Sequence, residues 1–144
     1  MSEPAWEHFE HGADIGVRGS GRDPAEAFAA AGRALLALVT ADPERIESRV
    51  GCEFELQAST LESLLVAFLN ELIFRLDTER LLLGHLEPVL EGQEGHWTLH
   101  VRARGERYDP LAHDGTVEPK GATYTGLRVA GDASGWVAEC VIDV

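Results

Sequence analysis

The segment STLESLLVAFLNELIFRLD, residues 59–77, decides the fold of this chain. Ser59 followed by Glu62 is typical of a capping box and predicts where a helix begins. Apolar residues then recur at helical spacing and form one wide stripe: Leu61, Leu64, Leu65, Phe68, Leu72 and Leu76, with Leu69 and Ile73 widening it. A stripe this wide suits a helix that lies on a sheet, with Asn70 and Arg75 at its polar edge.

A second helix is predicted upstream, in RDPAEAFAAAGRALLALVT, residues 22–40. Asp23 serves as the N-cap, Pro24 takes the first helical position, and Glu26 follows the cap by three residues. One apolar stripe again repeats at helical spacing: Ala27, Phe28, Ala31, Leu35 and Leu38. We therefore expect both helices to bury one face on the same layer.

Seven further segments alternate between apolar and polar residues or are rich in strand formers, and they predict strands. They are 5–12, 13–20, 50–57, 80–92, 96–104, 124–131 and 135–144. Pro88 marks its segment as an edge strand or a bulge, and the last two segments form a closing hairpin around Asp132 to Ser134. The order β-β-α-β-α-β-β-β-β predicts one α+β domain, residues 1–144, built as a two-layer α/β sandwich with two helices on one face of a mostly antiparallel sheet.

The charge balance restricts the kind of partner that this chain binds. There are 25 acidic against 12 basic residues, Lys120 is the single lysine, and the formal net charge is -13. A nucleic-acid-binding surface needs clustered lysines and arginines that neutralise phosphates. The composition therefore argues against direct nucleic-acid binding, and it suits surface solubility, cation binding or docking to a basic protein.

Nothing in the sequence indicates a membrane or a secreted protein. No apolar run approaches the roughly 20 residues of a membrane span, and the acidic start MSEPAWEHFE has no signal-peptide core. We expect a cytoplasmic protein in which Cys52 and Cys140 are reduced, buried thiols. Neither cysteine belongs to a CxxC pair, so a zinc thiolate site is not expected.

The histidines do not have the spacing of a zinc site. His8 and His11 are three apart and would point to opposite faces of a strand, whereas His96 and His100 share a face but are separated by about 13 Å. His113 lies in the longest predicted loop, and it is the histidine with the most freedom to act.

Two aspartates stand at strand ends. Asp14 is on the opposite face of its strand from Ile15 and Val17, and Asp143 is on the opposite face from Cys140. Asp143 also adjoins the carboxylate of Val144. If the two strand ends meet, three carboxylates converge, and such oxygen ligands suit Ca²⁺, Mg²⁺ or Mn²⁺. Residue spacing alone leaves a turn-forming Asp14 and a solvated C-terminus equally open.

Four segments together resemble the archease family over nearly the whole chain, from residue 6 to residue 144. They are HGADIG (11–16), LLVAFLNELIFRLD (64–77), GATYTGLRV (121–129) and GWVAECVIDV (135–144). The chain departs from the family pattern at Gly12, where the family usually has threonine, and at Gly121 and Thr125, where the family usually reads VKAATYH against PKGATYT here.

The resemblance implies a function and a site. Archeases act on the tRNA-splicing RNA ligase, which joins a 2′,3′-cyclic phosphate or 3′-phosphate RNA end to a 5′-hydroxyl end. They promote guanylylation of the ligase and multiple turnover, as protein cofactors rather than enzymes. The family's divalent metal site corresponds to Asp14, Asp143 and the terminal carboxylate of Val144, all of which are present.

Two other functions remain open at the level of sequence. The same carboxylates could serve a small metal-dependent phosphoester hydrolase, for which His113 and Glu139 are the candidate bases. The acidic surface could equally belong to a metal-free interaction or chaperone-like module. No GxSxG, P-loop or GxGxxG motif supports another catalytic class.

Overall fold

The computed structural model describes residues 5–109 and 117–144, which contain two α-helices, a short 3₁₀ helix (Pro43–Arg45) and eight strands. In chain order the main elements are β1 (Ala5–His11), β2 (Asp14–Gly21), α1 (Pro24–Leu36), β3 (Val50–Ala58), α2 (Leu61–Glu79), β4 (Leu81–Gln93), β5 (His96–Arg107), β6 (Gly121–Ala122), β7 (Arg128–Asp132) and β8 (Gly135–Asp143). The predicted order of elements is confirmed, and β6 and the 3₁₀ helix are additions that no periodic pattern announced.

The α+β architecture is confirmed, but the strands form two antiparallel sheets rather than one. The larger sheet has the order β1-β2-β8-β6, with β7 also paired with β8, and the smaller has the order β3-β5-β4. Helix α1 packs on β2 and β8 and also on β4, while α2 packs on β3, β4 and β6. The helices therefore join the two sheets, and this explains why the apolar stripe of α2 is so wide. Pro88 lies in β4, at an edge as predicted.

Helix α1 begins as the sequence predicts. The Asp23 carboxylate accepts a hydrogen bond from the backbone N–H of Glu26 at 2.8 Å, and the Glu26 carboxylate accepts from the backbone N–H of Arg22 at 2.9 Å, one residue before the cap. The helix lies almost in backbone contact with β2, because a Cβ atom at Gly19 would be 2.2 Å from the backbone nitrogen of Ala31.

Helix α2 begins one residue later than the sequence predicts. Its N-cap is Thr60, whose hydroxyl accepts from the backbone N–H of Ser63 at 3.1 Å, so the prediction of Ser59 as the cap is wrong. The carbonyl of Ser59 instead accepts from the N–H of Gly95 at 3.0 Å. Ser59 thus connects the start of the helix to the β4–β5 turn.

The core contains every apolar residue that the two helical stripes predicted. Phe28 of α1 and Phe68 of α2 stack with ring centroids 6.0 Å apart. Val50 was expected to face inward but is 39% exposed; it is the first residue of β3 and pairs with Gly105. Both cysteines are free thiols; Cys140 is buried as predicted, whereas Cys52 is only partly buried.

None of the helices in residues 5–109 and 117–144 is long and apolar enough to cross a bilayer.

Candidate functional site

Asp14 and Asp143 lie at adjoining ends of two paired strands. The antiparallel register of β2 and β8 runs from Gly21 opposite Trp136 to Ile15 opposite Ile142. One further step of that register places Asp14 opposite Asp143, where facing Cα atoms are about 5 Å apart. The tertiary structure therefore brings together two residues whose meeting the sequence left open.

Both aspartates are on the face of the larger sheet that points away from the helices. The alternate positions point inward, since Val17, Cys140 and Ile142 are fully buried. Asp14 is partly buried and Asp143 is exposed. Their carboxylates are thus available to a ligand or a partner from outside the domain.

The end of β8 is held by the segment that leads into β6. The backbone N–H of Lys120 donates to the carbonyl of Asp143 at 2.7 Å, and Gly121 of β6 pairs with Asp143. The side chain of Val144 is partly buried and packs against the main core. These contacts order the backbone of the last two residues, on which the carboxylates of Asp143 and Val144 are carried.

The residues present suit a hard cation only when a third donor joins the two aspartates. Within residues 5–109 and 117–144, no group of three or more histidine, cysteine, aspartate or glutamate side chains could hold a metal ion. The carboxylate of Val144 is not a side chain, and it would be the third oxygen donor. A set made only of carboxylate oxygens matches the preference of Ca²⁺, Mg²⁺ and Mn²⁺.

The HGADIG segment has a structural explanation for its two glycines. Gly12 has φ +61° at the first position of the two-residue turn between His11 and Asp14, a conformation in which glycine is favoured. Gly16 lies under the ring of Phe9, whose atoms would be 2.2 Å from an added Cβ. The guanidinium of Arg18 lies over the same ring, 4.6 Å from its centroid.

A row of four charged side chains crosses the same face, and sequence reasoning did not find it. Arg18 donates to Glu139 at 3.2 and 3.0 Å and to Glu7 at 2.9 Å, while Arg128 donates to Glu139 at 2.9 Å. The pairing register sets all four residues opposite one another. The hydrogen bonds that Arg18 donates to Glu7 and to Glu139 raise the pKa of its guanidinium. The signal in the sequence was an acid, Glu139, between the two apolar residues Val137 and Val141 of the same strand face.

The row of charged side chains surrounds Glu139, which is one of the two candidate catalytic bases. The side chain of Glu139 is only 11% exposed, and its two oxygens accept hydrogen bonds from the guanidinium groups of Arg18 and Arg128, so this carboxylate takes part in structural ion pairs. His113 lies outside the described residues. Three clefts elsewhere on the surface are lined by residues around Asp132, Arg104 and Arg33, and neither Asp14 nor Asp143 lines them.

Comparisons with known proteins give one family over nearly the whole chain. The Archease protein family (MTH1598/TM1083) matches residues 6–144. Similar proteins include the archease of Pyrococcus furiosus, 38% identical over 140 residues that cover 96% of this chain and 98% of that protein. The archease of Thermococcus gammatolerans is 39% identical with the same coverage of both chains.

Solved structures show the same fold. The solution structure of Methanobacterium thermoautotrophicum protein 1598 superimposes with a TM-score of 0.82 at 24% identity, over 97% of this chain and 99% of that one. A crystal structure from Thermotoga maritima, described as an archease and possible chaperone, has a TM-score of 0.56 at 19% identity, over 100% of this chain and 98% of that one. From the family match and the sequence identities, this chain belongs to the archease family.

Proposed function

We propose that this protein is a cytoplasmic protein cofactor of the tRNA-splicing RNA ligase that promotes guanylylation of the ligase and its multiple turnover, without being catalytic alone. The observation that carries the proposal is the pairing of β2 with β8, whose register brings the strand ends with Asp14 and Asp143 next to each other in a member of the archease family. Both aspartates are at the ends of central strands, on the face that points away from the helices.

The proposed site holds one divalent cation, Ca²⁺, Mg²⁺ or Mn²⁺, between the carboxylates of Asp14, Asp143 and Val144. Three carboxylates at one strand end repel one another, and a hard cation that takes oxygen ligands offsets this repulsion. The hydrogen bond from Lys120 N–H to the Asp143 carbonyl and the packed Val144 side chain support the site, because they hold two of the three donors in place.

The charge of the chain supports a protein partner over an RNA partner. A formal net charge of -13 opposes binding to phosphates. An enzyme that binds RNA ends needs a basic surface around its active site, and that surface is complementary to this chain. The proposed contact is therefore with the ligase and not with its RNA.

The decisive experiment measures guanylylation and ligation by the cognate ligase with and without this protein, added at less than one molecule per ligase. We expect ligation that stops after a single burst to become catalytic, because one cofactor molecule would serve many ligase molecules. Ligation with the same burst and the same turnover in both reactions would refute the proposed function.

The metal site has its own test. We expect Asp143→Asn, or one residue added after Val144, to abolish the heat of Ca²⁺ or Mn²⁺ binding and the stimulation of the ligase. The matched control is Glu87→Gln, which removes one exposed carboxylate from β4 of the other sheet. Equal metal binding by the Asp143→Asn variant and the control would place the cation elsewhere.

The second candidate is a metal-free chaperone-like module, since the Thermotoga maritima structure is described as a possible chaperone. Titration calorimetry without heat for any of the three cations, together with an unstimulated ligase, would favour it. The hydrolase alternative predicts phosphoester turnover by the protein alone that a chelator abolishes, and the occupied carboxylate of Glu139 argues against it.

A further inference from the structure

A groove lies along α1 where this helix contacts both sheets. Its volume is about 240 Å³, and its lining includes Trp6 of β1, Glu26, Ala29, Ala30 and Arg33 of α1, and Leu86 of β4. The four helix positions follow the spacing i, i+3, i+4 and i+7, which places them on one face of α1. We call this feature the α1 groove.

Contacts beside the α1 groove fix the residues that bound it. The Nε2–H group of His8 donates to the carbonyl of Ala34 at 2.6 Å, and the ring of His8 contacts that of Trp6, with centroids 5.4 Å apart. Leu86 lies against the backbone of Gly32, where a Cβ atom would be 2.6 Å from the Cδ1 atom of the leucine. A tryptophan and a leucine held in this way, next to two alanines, form a binding space that exists before any ligand arrives.

The uncompensated charge in the α1 groove is positive. The Glu26 carboxylate is paired with Arg22, whose guanidinium donates to it at 2.6 Å. The exposed guanidinium of Arg33 makes no hydrogen bond or ion pair with any residue in 5–109 or 117–144. An arginine fork of this kind matches a carboxylate in charge and in geometry. The groove therefore favours a ligand that is apolar in one part and acidic in another.

The size of the α1 groove decides the class of ligand. Sites for small molecules have volumes of about 300–1,000 Å³, and this groove is below that range. It has room for one bulky side chain. Single side chains that fill such pockets are the residues that dominate the affinity of protein–protein contacts.

We propose that the α1 groove binds a segment of a partner protein in which a bulky apolar side chain is followed by Asp or Glu. The apolar side chain occupies the space next to Trp6, Ala29 and Leu86, and the acid pairs with Arg33. This inference goes beyond the proposed function, because the groove contains neither Asp14 nor Asp143 and needs no metal ion.

The test titrates the nitrogen-15-labelled chain with three blocked dipeptides and follows its NMR spectrum. Phe-Glu carries the apolar side chain and the acid, Phe-Lys reverses the charge, and Ala-Glu removes the ring. With Phe-Glu we expect saturable shifts of the indole N–H of Trp6 and of the backbone N–H groups of Ala29, Ala30 and Arg33. The Kd should be about fivefold higher or more for Ala-Glu, because the buried ring is lost, and about threefold higher or more for Phe-Lys, because the ion pair is lost.

Two variants and a matched control locate the binding. Ala29→Leu fills part of the groove and should raise the Kd of Phe-Glu about fivefold or more. Arg33→Gln should remove the preference for Phe-Glu over Phe-Lys and keep the preference over Ala-Glu. The control is Arg104→Gln in β5, since Arg104 is likewise exposed and without a partner in residues 5–109 and 117–144; it should leave every Kd unchanged. Thermal unfolding confirms that each variant folds.

Three results would overturn the inference: equal Kd values for the three dipeptides, shifts confined to other parts of the chain, or an Arg33→Gln variant that still prefers Phe-Glu over Phe-Lys. Tighter binding of phenylacetate, which has a ring and a carboxylate without a peptide backbone, would also overturn it, because the occupant would then be a small carboxylic acid. Shifts of the same resonances when only the protein concentration rises would make a second copy the occupant. The expected order of Kd values, with each variant losing its own preference, supports the inference whether or not the protein stimulates the ligase.

Discussion

Phe9 of β1 lies directly on the backbone of Gly16 in β2, so that a Cβ atom at position 16 would be 2.2 Å from the ring. The guanidinium of Arg18 lies on the same ring, 4.6 Å from its centroid. The ring therefore fills the place of a missing side chain two residues from Asp14. This contact gives the second glycine of HGADIG a packing role.

Gly16→Ala is expected to lower the free energy of unfolding by about 1–3 kcal/mol, because the Phe9 ring must leave β2 to make room. Gly19→Ala is expected to cost more, since its Cβ would meet the backbone of Ala31, which cannot turn aside as a ring can. Urea unfolding measures both values. Combining Gly16→Ala with Phe9→Ala should cost less than the sum of the two single changes.

The control is Gly51→Ala in β3. Its Cβ would be 3.7 Å from the nearest atom, an ordinary contact distance, so we expect a change within about 0.5 kcal/mol. If Gly51→Ala and Gly16→Ala destabilise equally, the loss reflects a general strand effect and the Phe9 contact has no special role.

Glu139→Gln is expected to lower the free energy of unfolding by about 1.5–3 kcal/mol, since it weakens charge-assisted hydrogen bonds to Arg18 and Arg128 around a nearly buried group. The comparison is Glu53→Gln, whose partner Arg102 is 3.1 Å away but whose pair is 72–75% exposed. Exposed pairs contribute about 0–1 kcal/mol. Equal losses in chemical denaturation would show that burial of Glu139 does not strengthen its ion pairs.

Thr60→Ala is expected to cost about 1 kcal/mol, because the N–H of Ser63 loses its hydrogen-bond acceptor at the start of α2. Thr60→Ser keeps a hydroxyl and should recover most of this loss. Ser59→Ala should change the stability by less than about 0.5 kcal/mol, since Ser59 contributes its backbone carbonyl to Gly95. A larger loss at Ser59 than at Thr60 would restore Ser59 as the cap.

Burial raises the pKa of the Cys140 thiol to about 11, from its ordinary value of 9.0. The unfolded chain therefore loses this proton near pH 9 and the folded chain only near pH 11. Stability from this group is fully present below pH 9 and is lost as the pH rises to 11, by about 2–3 kcal/mol.

Chemical unfolding at a series of pH values, for the wild type and for Cys140→Ala, measures this loss. The alanine variant lacks the thiol, so its stability should fall less steeply between pH 9 and pH 11, even if the whole curve is lower. Parallel curves for the two proteins would show that Cys140 does not titrate differently in the folded state. Cys52 is present in both proteins and cancels from the comparison.

The sequence predicted the elements better than it predicted how they pair. Helical spacing identified the buried faces of α1 and α2 residue by residue, because a period of 3.6 is a local property. The predicted start of α2 was one residue too early, because Ser59 and Thr60 are both residue types that can cap a helix. In the structure the Thr60 hydroxyl accepts from the N–H of Ser63, whereas the Ser59 carbonyl accepts from the N–H of Gly95. The two-residue strand β6 was missed because it is too short to show a period.

For the candidate site, too, the sequence predicted local features but not contacts between residues far apart in the chain. The alternation of apolar and polar residues in β2 and β8 was enough to place Asp14 and Asp143 on outward faces, because alternation is a local property of a strand. That the two aspartates adjoin, that Glu139 lies between two arginines, and that Asn70 connects α2 to β6 depend on strand register and on contacts between residues far apart in the chain.

What the sequence by itself determined is therefore the fold class, the two helical faces, the face of each aspartate and, through its four family segments, the archease resemblance. The tertiary structure alone decided that the strands divide into two sheets and that the ends of β2 and β8 adjoin. The physical reason is that periodicity records which side of an element is buried, whereas pairing depends on which partner the folded chain brings within hydrogen-bonding distance.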